Sequence, residues 1–152
     1  MTIDNDRNFK SALNKLSRAG QRQVGARFAE SVLVLSKDVR VKSAINTVKR
    51  NDITEDELVA AFQSAKKASV DSFTQCGQEC DWNSQAGHFV AQAALACLKP
   101  AEPGDSPAWD AAMHARMART SESIATGIGT DNAETAAQYR ILDKYLVEGK
   151  AS

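Results

Sequence analysis

Hydrophobic positions recur at helical spacing along nearly the whole chain. Phe9, Leu13 and Leu16 fall at i, i+4 and i+7, which predicts a first helix from Asp6 to Leu16. Ala19-Gly20 is a candidate break. Val24, Phe28, Val32 and Leu35 stripe a second helix from Arg22 to Leu35. Ser36-Lys37-Asp38 opens a third, with Val41, Ala44, Ile45 and Val48 on its inner face.

The next elements carry start and stop signals as well as a period. Thr54-Glu55-Asp56-Glu57 is a capping box, in which the Thr hydroxyl and the Glu carboxylate satisfy each other's backbone N–H groups. The helix it starts reaches Thr74, along a narrow stripe of Leu58, Ala61, Phe62, Ala65, Ala68 or Ser69, Ser72 and Phe73. Small residues in that stripe let a neighbouring helix come close. Cys76-Gly77-Gln78-Glu79-Cys80 ends it. Asp81 or Asn83 caps a fifth helix through Leu98, whose apolar face holds Trp82, Ala86, Phe89, Val90, Ala93, Ala94, Cys97 and Leu98.

Pro100 to Asp105 is a loop. Ser106 then caps a sixth helix with Pro107 first, where the missing N–H has no cost, and Trp109, Ala112, Met113, Arg116, Met117 and Ile124 follow. Gly127-Ile128-Gly129-Thr130 closes it. Asp131 or Asn132 starts the last, with Ala133, Ala136, Ala137, Ile141, Tyr145 and Leu146 as its apolar positions. No alternating segment reads as a strand. The expected fold is all-α, one irregular bundle of six to seven helices over residues 1–152.

Composition narrows this picture. With 152 residues, 43% hydrophobic and 25% charged, the chain suits one globular domain rather than a disordered one. Lys+Arg and Asp+Glu stand at 19 each, against the basic bias of a nucleic-acid binder. The basic residues concentrate early, at Arg18, Arg22, Arg27, Arg40, Lys42, Lys49 and Arg50. That leaves two readings, solvated helix faces or a polyanion-binding face. The first residues lack a basic stretch followed by an apolar one, and no apolar run approaches a membrane span. With an odd count of three Cys, no disulfide framework is expected, and the cytoplasm is the expected compartment.

Candidate chemistry is sparse. Cys76, Cys80 and His88 are the metal or redox candidates, since thiolates at i and i+4 can share an ion, but C-x3-C is not the spacing of zinc ribbons. Cys97 reads as core. His88 follows Gly87, whose place inside a helix costs about 1 kcal/mol against Ala and so suggests a close helix contact. Trp82, Trp109 and His114 join His88 as candidates for a partner surface or a pocket. No nucleophile motif, phosphate loop or di-iron ladder is present, so no catalytic residue and no cofactor is expected.

Between residues 38 and 98 the string resembles the immunity proteins of bacterial polymorphic toxin systems. The resemblance is carried by Asp38-Val39-Arg40, Ser43-Ala44-Ile45, Val48-Lys49-Arg50, Ile53-Thr54 and Glu57-Leu58. It continues through the spaced Ala60, Ala61, Ala65 and Ala68, then Ala86-Gly87-His88 with Ala91, Ala93, Ala94 and Ala96. It implies a small helical cytoplasmic protein that binds and neutralises a toxin. Composition and the lack of a long apolar run point away from a nucleic-acid or membrane partner, and self-association is left open. Two alternatives stand beside it: a cysteine-based redox or metal-binding protein, and a small-molecule pocket lined by His88, Cys97, Met113 and Met117.

Overall fold

The computed structural model describes residues 3–50, 52–76, 81–100, 102–129 and 133–151. The order is α1 (Asp6–Asn14), α2 (Arg18–Ser31), a 3₁₀ turn (Leu33–Leu35), α3 (Val39–Val48), α4 (Glu55–Cys76), α5 (Trp82–Leu98), α6 (Pro107–Ala125) and α7 (Glu134–Ala151). Among the described residues there is no strand, and no helix is long and apolar enough to cross a membrane. The all-α bundle expected from the pattern is the fold.

Side-chain caps set the starts. Asn5 accepts from the Asn8 N–H, Ser17 from Gly20, Asp38 from Arg40 and Asp81 from Ser84. At α4 the capping box closes in both directions: the Glu57 N–H donates to Thr54 Oγ at 3.1 Å, and the Thr54 N–H to Glu57 Oε1 at 3.2 Å. Ser106 departs from expectation, because its hydroxyl caps nothing and instead faces Asn14 Oδ1. The fixed φ of Pro107 at the first position starts α6 without it. Beyond the C-terminus of α6, Gly127 takes φ +83°, and the Ile128 N–H reaches back to the Ser123 carbonyl at 2.9 Å. That is a Schellman closure, which a Cβ at Gly127 would strain.

Two boundaries moved. The break after α1 falls at Ser17, whose side chain caps α2, so Gly20 lies inside α2 rather than between helices. The second helix stops at Ser31 and tightens into the 3₁₀ turn, leaving Val34 exposed. Asp131 and Asn132, the expected start of the last helix, lie outside the described residues.

Packing is organised around α5 and α6, which lie side by side as a hairpin and share the largest interface. α5 buries Ala86, Val90, Ala93, Ala94 and Cys97, and α6 buries Ala108, Ala111, Ala112, Ala115 and Ala118. α2 lies on this pair through Val24, Phe28 and Gly25, with Phe9 of α1 packed at a tilt on Phe28, 5.5 Å between ring centres. α4 covers the other side of α5, burying Leu58, Ala61, Ala65 and Ala68 with Phe62 only half covered.

The last helix differs from its apolar reading. Ala133 and Ala136 are exposed, while Glu134, Gln138 and Leu142 face inward. The burial of Gln138 is satisfied from both ends of its amide: Nε2 donates to the Ala112 carbonyl at 2.9 Å and Oε1 accepts from Arg116 Nε at 2.8 Å.

Gly25 marks the tightest crossing. A Cβ there would stand 2.9 Å from Cys97 Sγ and 3.4 Å from Ala108 Cα. Gly→Ala in an open helix gains about 1 kcal/mol, whereas overpacking a core costs about 1–3 kcal/mol. Gly25→Ala is therefore expected to destabilise the chain in urea unfolding by about 1 kcal/mol. Adding Cys97→Ala should restore much of that loss; a double variant no better than the sum of the singles would mean that this crossing is loose.

Candidate functional site

A groove of about 570 Å³ opens where the 3₁₀ turn, the head of α3, the last turns of α4 and the head of α5 meet. Each wall has a local cause. Asp38 is fixed as the cap of α3 and Asp81 as the cap of α5, so both carboxylates stand at helix starts. Gly87 brings the backbone of α5 toward the 3₁₀ turn, with the Leu35 carbonyl 3.4 Å from where its Cβ would be. The close contact expected at Gly87 is thus with the turn, not with another helix.

Arg40 spans the floor. Its Nε donates to Asp38 Oδ1 at 3.0 Å and its Nη2 to Asp38 Oδ2 at 2.6 Å. Its Nη1 donates to Asp71 Oδ2 of α4 at 2.8 Å. The paired carboxylates push the guanidinium's pKa up, and the guanidinium holds the Asp38 carboxyl below its usual range. Lys37 and Asp81 complete the charged lining.

His88 stands on the inner wall. The Ser72 hydroxyl donates to the Ser69 carbonyl at 2.9 Å, so its oxygen is left to accept from His88 Nδ1 at 2.8 Å. On the other side Gln92 Nε2 donates to Ser69 Oγ at 2.8 Å and faces His88 Nε2 at 3.4 Å. This network assigns the proton to Nδ1. A serine nucleophile needs an imidazole nitrogen that takes its proton, and here the ring nitrogen at Ser72 already carries one. Burial pushes the His88 pKa down, with the Ser69 backbone pulling weakly the other way.

The remaining candidates are dispersed. Trp82, at the head of α5, is 44% exposed. Trp109 packs on Phe9 at 6.1 Å between ring centres, beneath Lys10 and Arg116, at the edge of the main core. His114 stacks on Phe89, away from the groove lining, and burial lowers its pKa first, Asp110 opposing and Lys99 and His88 adding. Cys80 and the side chain of Cys76 lie outside the described residues. Among the described residues no three His, Cys, Asp or Glu converge as a metal site.

The proposed pocket of His88, Cys97, Met113 and Met117 does not form. Cys97 is sealed against Gly25, its thiol pushed up to about 12 by burial, and Met117 faces outward. That protonated thiol is also a poor redox group.

The early cluster of basic residues is largely consumed by pairing. Arg18 meets Asp105, Arg27 meets Glu148, Lys49 meets Glu30, and Arg50 meets Asp52 and Glu57. Most of those acids come from other helices, and their pairing counts against a polyanion face. Arg22, half-buried, has its pKa lowered by burial and by Arg18.

Sequence reasoning missed the groove's main features. Phe73 was placed in the core stripe but is 70% exposed, with its ring 5.9 Å from His88. Val34 is 81% exposed at the groove edge. The Asp38-x-Arg40 cap was a local signal, but its tie to Asp71 was not.

No family model matches the chain, and neither a curated protein nor a solved structure matches it.

The two histidines make a pH prediction. Both folded pKa values lie below the ordinary 6.5, so between those values and 6.5 the unfolded chain binds more protons than the folded one. Their contribution to stability is present above pH 6.5 and is lost as pH falls toward the folded pKa values. Urea midpoints should drop between pH 7 and pH 5, and His88→Gln with His114→Gln should flatten that slope. An unchanged slope would assign the loss to carboxylates.

Proposed function

We propose that the chain is a protein-binding module whose docking face surrounds the groove, working as an immunity-type protein that neutralises a toxin in a bacterial cytoplasm. The observation that carries the reading is the company the groove keeps. Val34 lines the charged cleft and stands in water, and Phe73 is exposed with its ring 5.9 Å from the lining residue His88. Trp82 is part-exposed next to the lining residues Asp81 and Asn83, with Val39, also exposed, in the shallower dip beside Val34. Scattered single apolar residues on a surface need no explanation, whereas several around one cleft mark an interaction site.

The cleft has the anatomy of a binding centre. Aromatic anchors flank it, and Arg40 is held in place by two carboxylates before any partner arrives. A side chain already fixed loses little entropy on binding. A partner covering this end of the bundle would bury about 800 Å² on each side. The resemblance over residues 38–98 supports the same assignment, since it runs through Asp38, Arg40 and His88, three groove residues.

The test is co-expression of this chain with the products of the genes that flank it. One of them is expected to arrest growth, to be rescued by this chain, and to co-elute with it as a stable complex. Phe73→Ala and Trp82→Ala should each weaken that complex, by about thirtyfold where the aromatic is a hot spot. Both variants should keep the parent's unfolding midpoint, since both side chains are exposed. Rescue untouched by either substitution, or no flanking product that binds, would overturn the reading.

A further inference from the structure

We infer that the groove receives a basic side chain of the protein partner, Lys or Arg, with its charged end at Asp71 and its stem along Val34. This rests on the reading of the groove as a docking face and adds the partner's chemistry to it.

Among the described lining residues, the side chains of Lys37 and Arg40 face three carboxylates, Asp38, Asp71 and Asp81. His88 is neutral at pH 7 and adds no positive charge. The carboxylates are unequally committed. Asp38 gives both oxygens to Arg40 and one of them to the Arg40 backbone N–H as well. Asp71 gives only Oδ2, and its side chain is 45% exposed. Its Oδ1 is the acceptor left for an incoming cation.

Shape and polarity agree with that charge. A cleft of about 570 Å³ exceeds one side chain, so it takes a cation together with its flanking backbone. Lys and Arg carry an apolar stem beneath the charged head, which suits a groove lined by Val34 and Ala68 beside a carboxylate. An acidic side chain would meet those carboxylates, and an apolar one would strip water from Asp71 without replacing its hydrogen bonds.

The experiment titrates the folded, ¹⁵N-labelled chain with N-acetyl-arginine amide and, separately, with N-acetyl-glutamate amide. The arginine probe is expected to shift amides of Asp71, Phe73, Asp81 and His88 along saturable curves, while the glutamate probe leaves them in place. Asp71→Asn should weaken the arginine response about fivefold, the effect of one unit charge at contact distance in water. Lys37→Glu, which does not remove the Arg40 clamp, should strengthen it by a similar factor. Equal response to both probes, arginine shifts outside the groove, or insensitivity to both substitutions would overturn the inference. Growth rescue that persists alongside such a result would leave the docking face standing and reject only the charge assigned to its partner.

Discussion

The whole fold depends on how closely α5 and α6 approach each other. Both helices bury mainly alanines, Ala86, Ala93 and Ala94 on α5 and Ala108, Ala111, Ala112, Ala115 and Ala118 on α6, and side chains this small let packed helices come close. An alanine buries little apolar area of its own, and closeness compensates for that. The condition propagates outward. α2 can lie on the pair only because position 25 has no side chain, and Cys97 fills the space it leaves. α4 uses the same small-residue strategy on the other face of α5, through Ala61, Ala65 and Ala68.

At the periphery polar contacts add to the apolar ones, such as those of the buried Leu142 of α7. α7 is tied by Gln138 to the Ala112 carbonyl and to Arg116, by Glu134 to Ser31 and Arg119, and by Tyr139 to Asp6. Each of these places a buried or half-buried group against a partner that satisfies it, and losing one partner would leave the other uncompensated. The groove lies at the end of the bundle where this logic is least complete. Its floor is an ion cluster in which Arg40 is held by Asp38 and Asp71, and beside it apolar side chains stand in water.

Much of the framework was legible because local rules and the global fold agree. The inner face of α3, Val41, Ala44, Ile45 and Val48, follows from period alone, and the capping box at Thr54 fixes the start of α4 through two short-range bonds. What could not be read depends on distance in three dimensions. Gln138 is buried because Arg116 and the Ala112 carbonyl await it, and nothing within its own helix announces them. Phe73 continues the apolar stripe of α4, yet it is exposed, with the His88 ring beside it. The basic residues of the first third looked like a patch only because their acidic partners lie far along the chain, Arg27 to Glu148 most of all. Of the groove, Asp38 and Asp81 were visible as caps and His88 as an unusual residue, while their convergence was not.

Native-state hydrogen exchange measured residue by residue tests this account most directly. If the α5–α6 contact holds the bundle together, the amides of Val90 to Cys97 and of Ala111 to Ala118 will be the slowest to exchange. They will open only with global unfolding, and the 3₁₀ turn and the last turn of α4 at the groove will open first. Slower exchange in α1 or α7 than in that central pair, or opening of α5 and α6 at a small fraction of the global denaturant slope, would contradict it.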